Sequence, residues 1–281
     1  MIDLFDGLLK GEWPGHVSSS QRSYWQCRLR SALRTVFHLR PKVEENGKGK
    51  YAGSIIHTVL EQHYSTPLEK RSLAAMLGTL DALVQLENRY VEMAEEMKPR
   101  IAEMLTRFYK KYGNDKIVPL SVEAKLQLPV MEGIDYLGYT DMIYEDGDNL
   151  VIEDWKTSLA SIEPLSYTVL NPQIRDYCWA IRRLNPDKTV IVRYVFITPS
   201  SIKRITVPVL DTETVGAELR QLSVEQRSLP VVPNYGYHCK NCDFLPLCLA
   251  NITHRNLKSV LETTYARVEG ELDIMPKAVV E

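Results

Sequence analysis

Asp154 and Lys156 stand two residues apart in the run Val151-Ile152-Glu153-Asp154-Trp155-Lys156-Thr157. If that run is a strand, residues two apart share a face, so Asp154 and Lys156 point one way while Glu153 and Trp155 point the other. That parity selects Asp154 over Glu153 as a site carboxylate. A second acid, Asp141, closes Gly138-Tyr139-Thr140-Asp141, and a hairpin would bring it to the head of the neighbouring strand. Two carboxylates that close repel each other unless a divalent cation sits between them, and oxygen ligands of this kind suit magnesium or manganese. Such a cation acidifies its water and stabilises charge developing on a phosphate, while Lys156 orients the attacking water or neutralises that charge. Taken alone, an Asp-x-Lys pattern is weak, because ordinary strand charges also produce it.

Several further residues fit the same chemistry, each with a plainer reading beside it. His57, in Gly53-Ser54-Ile55-Ile56-His57-Thr58-Val59-Leu60-Glu61, sits among apolar neighbours and could supply a nitrogen ligand; such a histidine is more often a satisfied core residue. Glu123, on the strand before the meander, would add a carboxylate or be a surface charge. Gln173 and Tyr177 are four apart and share a helix face. Cys239, Cys242 and Cys248 form C-x2-C-x5-C, a spacing that lets thiolates meet at one metal centre, with a fourth ligand still to be found. Cys27 and Cys178 are the remaining two of five cysteines.

The elements that must position these groups can be read from periodicity and punctuation. Ser18-Ser19-Ser20 caps a helix from about residue 21 to 39, and residues 44–50 read as a loop. A helix over about 52–64 carries His57, and a helical stretch over 72–112 breaks near Pro99. The period then changes. Residues 118–130, 134–145 and 149–157 read as three consecutive strands, followed by a helix over 171–184, strands at 189–198 and 201–209, and a helix from Asp211 to about Arg227. The order predicts a mixed α/β core with helical decoration.

Composition excludes several classes. The 281 residues carry 34 Lys plus Arg against 36 Asp plus Glu, a formal charge of −2, with 44% hydrophobic residues. This is neither a disordered chain nor one coated in positive charge. The most apolar run is too short to span a membrane. The first six residues have acid where a secretory signal needs base, which predicts a cytoplasmic protein with no membrane partner. Charge is local: Arg22, Arg28, Arg30, Arg34, Arg40 and Lys42 occur between residues 21 and 42 with no acid among them. That strip predicts a nucleic-acid track, and a solvated helix face is the plainer reading.

Taken in order, the G-x3-H-x2-L-E helix at Gly53 to Glu61, the G-x2-D at Gly138 to Asp141, the D-x-K at Asp154 to Lys156 and the Q-x3-Y at Gln173 to Tyr177 resemble the RecB-like branch of the PD-(D/E)xK nuclease superfamily. One upstream cysteine with C-x2-C-x5-C downstream looks like its iron–sulfur subgroup, which includes CRISPR-associated RecB-like exonucleases, the AddB nuclease domain and phage relatives. The resemblance implies a restriction-endonuclease-like core, a mixed central sheet flanked by helices with a helical insertion and an iron–sulfur clasp. It divides the chain into an N-terminal segment at 1–50, a motif helix at 51–64, the insertion at 65–116, the nuclease core at 117–228, the cysteine cluster at 229–250 and a tail at 251–281.

Carried over by position, the resemblance makes His57, Asp141, Asp154 and the Trp155 backbone carbonyl ligands of Mg2+ or Mn2+, with Glu123 an extra carboxylate. Lys156 becomes the catalytic lysine, Gln173 and Tyr177 position the site or the DNA, and Cys27, Cys239, Cys242 and Cys248 hold a 4Fe-4S cluster. Cys178 is then left for packing. Cys27 and Cys239 are 212 positions apart, so a shared centre would close a long loop and restrict the unfolded chain. Thr140 departs from the usual apolar residue, and Trp155 stands where Tyr is common. The activity implied is a metal-dependent DNA nuclease, an exonuclease acting on single-stranded ends in a bacterial, archaeal or phage-infected cell. Helicase, integrase or homo-oligomer partners would fit it. The rival is a non-catalytic or partner-dependent DNA-binding subunit of a DNA-processing or CRISPR adaptation complex.

Overall fold

Left-handed glycines close both turns of the expected meander, Gly133 at φ +69° and Gly147 at φ +61°, a conformation that costs glycine little. The computed structural model describes residues 12–42, 47–87, 90–159, 171–207 and 211–268. The acidic N-terminus, residues 43–46 of the expected loop, the expected strand end at Val209 and the end of the tail lie outside the described residues.

The first elements among the described residues are β1 (His16–Val17), α1 (Ser19–Tyr24), α2 (Arg28–Thr35) and β2 (Leu39–Pro41). Three helices follow, α3 (Gly47–Ser65), α4 (Leu73–Leu86) and α5 (Val91–Tyr112). The meander is β3 (Pro119–Met131), β4 (Ile134–Asp146) and β5 (Asn149–Thr157), and α6 (Pro172–Leu184) leads to β6 (Thr189–Ile197) and β7 (Ile202–Val207). The last elements among the described residues are α7 (Val215–Ser228), α8 (Leu245–Ile252), α9 (Leu257–Thr264) and β8 (Tyr265–Arg267). No helix among the described residues is long and apolar enough to cross a membrane.

These elements form two compact units. Residues 1–45, 127–137 and 214–274 make the first; residues 46–126, 138–213 and 275–281 make the second. In the second, the strand order is β3-β4-β5-β6-β7. The sheet is mixed: β4 and β5 are antiparallel, β5 and β6 parallel, β6 and β7 antiparallel. Helix α6 makes the crossover that the parallel pair requires, starting where Asn171 caps Gln173 and Pro172 occupies the first turn. Strand β5 lies in the middle and is buried from Leu150 to Trp155. Its Val151 and Trp155 pack with Ile56, Leu60 and Tyr64 of α3, Leu80 of α4 and Phe108 of α5 in one core.

In the first unit, His16 and Val17 pair in parallel with Asp135 and Tyr136. A separate core joins Cys27, Leu29 and Leu33 to Phe244, Leu247, Leu257 and Tyr265. Strand β8 pairs antiparallel with β2, so the region after the cysteine motif has a helix, α9, and a strand of its own.

Three boundaries differ from the periodicity reading. The single helix expected over 21–39 is two, parted at Trp25–Cys27, where Cys27 takes an extended backbone to begin α2. Residues 47–50 are already helical. Pro99 lies inside α5 rather than ending a helix, and the interruption comes between Leu86 and Val91. A proline costs about 3 kcal/mol in a helix interior. Against it, α5 buries Met97, Ile101, Met104, Leu105 and Phe108, each worth roughly 1.5–3 kcal/mol, so packing wins.

Candidate functional site

Strands β4 and β5 pair from Asp146↔Asn149 only as far as Met142↔Glu153. Beyond that point the backbone N–H of Trp155 donates to the Asp141 side chain at 2.5 Å instead of to a strand carbonyl. Asp141 lies within β4 just past the point where β4 and β5 part. Helix α3 delivers His57 to it, with Nδ1 3.3 Å from Asp141 Oδ1. This approach depends on Gly53, one turn earlier, because a Cβ there would lie 2.8 Å from Thr157 Oγ1.

Glu123 reaches the same place from β3. Its φ of +51° is uncommon for a residue other than glycine, and it sits within a strand. One ligand atom each from His57, Glu123 and Asp141 lies within 4.8 Å of the others. A nitrogen and two carboxylates are a donor set that fits a magnesium- or manganese-sized ion.

Asp154 and Lys156 share the other face of β5, as strand parity requires, and Nζ lies 2.7 Å from Asp154 Oδ2. Lys156 also donates to Gln173 Oε1 at 2.9 Å, and Gln173 Nε2 donates to the Tyr177 hydroxyl at 2.8 Å. Tyr177 in turn donates to the Tyr139 carbonyl. Gln173 and Tyr177, one turn apart on α6, therefore fix the ammonium through a chain that ends on the strand leading to Asp141.

The charges of these groups are interdependent. Burial works against the His57 imidazolium, yet the charge and hydrogen bond of Asp141, with Asp154 behind them, raise it to about 9. Burial likewise opposes ionisation of Asp141, but His57, Lys156 and the Trp155 N–H hold it below its ordinary value. For Asp154 burial prevails: the carboxyl is pushed up to about 6, against the pull of Lys156 and with Asp141 adding to the rise. Burial would lower Lys156; Asp154 and Asp141 instead raise it.

Glu153, on the opposite face, is fully buried and was set aside by the parity argument. It meets Arg204 of β7, with Nε 3.1 Å from Oε2, the Tyr144 hydroxyl at 3.2 Å and the Trp155 indole N–H at 3.3 Å. Local sequence gives no sign of this arrangement, because Arg204 is 51 positions away.

In the first unit, Cys27, Cys239, Cys242 and Cys248 line one pocket, together with Arg30, Asn234, Tyr235 and His238. Backbone N–H groups of Asn234 and Gly236 donate to the Cys27 and Cys239 sulfurs, each at 3.4 Å. Burial, then the neighbouring Cys242, Cys27 and Cys239, push the Cys248 thiol up to about 11. The four sulfurs share this pocket, but among the described residues no three of them come within 4.8 Å of one another, as the ligand atoms of His57, Glu123 and Asp141 do, so they are not gathered into a mononuclear metal site. Cys178 lies elsewhere, on α6, where burial raises its thiol to about 12.

The basic strip is engaged within its own unit. Arg22 pairs with Glu218, and Arg34 with Asp243 at 3.2 Å. The Arg28 guanidinium lies over Trp25 at 5.7 Å, and Arg30 and Arg34 lie over Tyr24 at 4.9 and 5.0 Å.

Residues 17–249 match the family model described as the PD-(D/E)XK nuclease superfamily. No curated protein matches the chain. Among solved structures, that of SSO0001 is 18% identical, covering 89% of this chain and 92% of that one at a TM-score of 0.42. A protein from Eubacterium rectale, whose exonuclease designation is provisional, is 12% identical, covering 81% of this chain and 87% of that one at a TM-score of 0.47.

Proposed function

The chain belongs to the PD-(D/E)XK nuclease superfamily, and from that premise we propose that it is a magnesium- or manganese-dependent deoxyribonuclease trimming single-stranded DNA ends. The observation that carries this reading is the meeting of His57, Glu123 and Asp141 beside the Asp154–Lys156 pair. His57, Asp141, Asp154 and the Trp155 carbonyl are the proposed ligands, with Glu123 the additional carboxylate. A divalent ion held there would supply Lewis-acid charge to the scissile phosphate.

The chain's own residues do the rest. Lys156 is held by Asp154 and Gln173 as a fixed positive charge for the phosphate oxygens. Gln173 and Tyr177 set its direction. Asp154, whose carboxyl burial pushes up to about 6, must be ionised to serve as an oxygen ligand. His57 must give up its proton to serve as a nitrogen ligand.

The same reading assigns Cys27, Cys239, Cys242 and Cys248 to a structural 4Fe-4S cluster. Their common pocket and the N–H donors to two sulfurs support this assignment.

The test uses the full chain with 5′- and 3′-labelled single- and double-stranded DNA in magnesium or manganese. Asp154→Ala and Lys156→Ala should each reduce degradation to background while the circular dichroism and the metal content of the cysteine pocket persist. Retained degradation in either folded variant would refute the site assignment.

A further inference from the structure

We infer that the buried Glu153–Arg204 pair is a positioning device for the cation site, acting through the Trp155 ring; the inference rests on the reading of His57 and Asp141 as cation ligands. Trp155 makes contacts on both sides of β5. Its peptide N–H is bonded to Asp141 at 2.5 Å, and its side chain points to the opposite side of β5, where it is fully buried. There the indole stacks on Tyr64, with centroids 5.7 Å apart and planes at 17°, and presents an edge contact to His57 at 5.8 Å and 73°. One residue therefore touches the imidazole with its ring and the carboxylate with its backbone.

Only one orientation of a buried indole satisfies its N–H, and a buried tryptophan N–H requires an acceptor. Glu153 Oε1 is that acceptor, at 3.3 Å. Glu153 is itself held on both oxygens: Arg204 Nε and the Tyr144 hydroxyl meet Oε2, and Arg204 Nη2 lies 3.5 Å from Oε1. Arg204 is fixed in turn by Asp115 at 2.6 Å and by the face of Tyr112, 4.1 Å from its guanidinium carbon. A buried ion pair is a poor way to gain stability, since well-packed apolar residues of similar volume often do as well or better. It is an effective way to fix direction. The glutamate immediately before Asp154 thus sets the ring that braces His57, from the face of β5 opposite Asp154 and Lys156.

Outer groups that orient metal ligands are worth about 10–100-fold in metal affinity when removed. The experiment is a calorimetric titration of the full-length protein with Mn2+, alongside thermal unfolding. Glu153→Gln keeps an oxygen acceptor and the shape but loses the charge that locks Arg204; it should bind Mn2+ about tenfold more weakly. Trp155→Phe keeps the stacked ring and loses the N–H, and should also weaken binding. In the Trp155→Phe background Glu153→Gln should then have little further effect, a non-additivity that general destabilisation would not produce. If Glu153→Gln does not fold, Glu153→Met with Arg204→Met removes both charges together, and the same loss of affinity is expected. Folded variants that bind Mn2+ as tightly as wild type, or two effects that add in full, overturn the inference alone. Wild-type protein that takes up no Mn2+ overturns the cation-site reading and the inference with it.

Discussion

Gly53→Ala sets two calculable effects against each other. Gly53 is inside α3, so alanine should gain about 1 kcal/mol of helix propensity. The new Cβ, however, would lie 2.8 Å from Thr157 Oγ1 at the end of β5. Thr157 is β-branched, so rotating Oγ1 away swings its methyl group into a neighbouring position. Overpacking of this kind costs about 1–3 kcal/mol, leaving a net loss of about 0–2 kcal/mol. Thr157→Ala removes the obstruction, so adding Gly53→Ala to it should recover the full gain of about 1 kcal/mol. Thr157→Val keeps a branch of the same size and should give no rescue. Urea titrations followed by circular dichroism measure each corner of the cycle. Manganese affinity gives a second readout, because His57 lies one turn along the same helix face and a displaced α3 moves it off Asp141. A Gly53→Ala protein stabilised by the whole helix gain, or one indifferent to Thr157→Ala, would show that the helix does not need this close approach.

Two further outcomes are expected. Burial, with Arg71 adding to it, lowers His63 to about 4 from its ordinary 6.5. The unfolded chain therefore takes up this proton first as pH falls, and stability present above 6.5 is lost progressively toward 4. His63→Phe keeps the ring contacts to Tyr64 and Tyr109 and should flatten the urea midpoint between pH 7 and pH 5; an unchanged slope would count against it. Cys242→Ala should abolish the brown absorbance expected of an iron–sulfur protein and lower the unfolding temperature, whereas a colourless wild type with stoichiometric zinc would replace the cluster with a zinc site.

What the sequence made legible was whatever local rules determine. The strands of the meander follow from their alternation and from glycines that must turn at 133 and 147. Helix α6 follows from an Asn cap, a first-turn proline and Asn185-Pro186 beyond its end. Asp154 and Lys156 share a face because a strand has a period of two. What was not legible depends on distant partners. The split between α1 and α2 serves Cys27, whose extended backbone admits it to a pocket with residues more than 200 positions away. The same parity rule that selected Asp154 gave Glu153 no role, because its partner lies on β7. Glu123 was ambiguous for a different reason: the left-handed backbone that accompanies its approach to His57 has no sequence signal at a glutamate. The arginine run looked like a phosphate track because its partners, Glu218 and Asp243, are far along the chain.

Those arginine partners bear on where a phosphate would find its charge. Arg22 and Arg34 already face carboxylates, and Arg28 and Arg30 lie over aromatic rings, so binding phosphate would exchange existing contacts rather than only add new ones. The cluster on the second unit has its own balance. Near neutral pH, His57 and Lys156 are positive, Asp141 is negative, and Asp154 is mostly ionised with a value of about 6. Those four charges come close to cancelling, and the Glu123 carboxyl beside them supplies no positive charge, so the cluster offers a polyanion little net attraction. Exchanging the His57 proton for a divalent ion makes it more positive by one unit of charge. Cation and DNA binding should therefore assist each other through charge alone, and by reciprocity each must strengthen the other by the same factor.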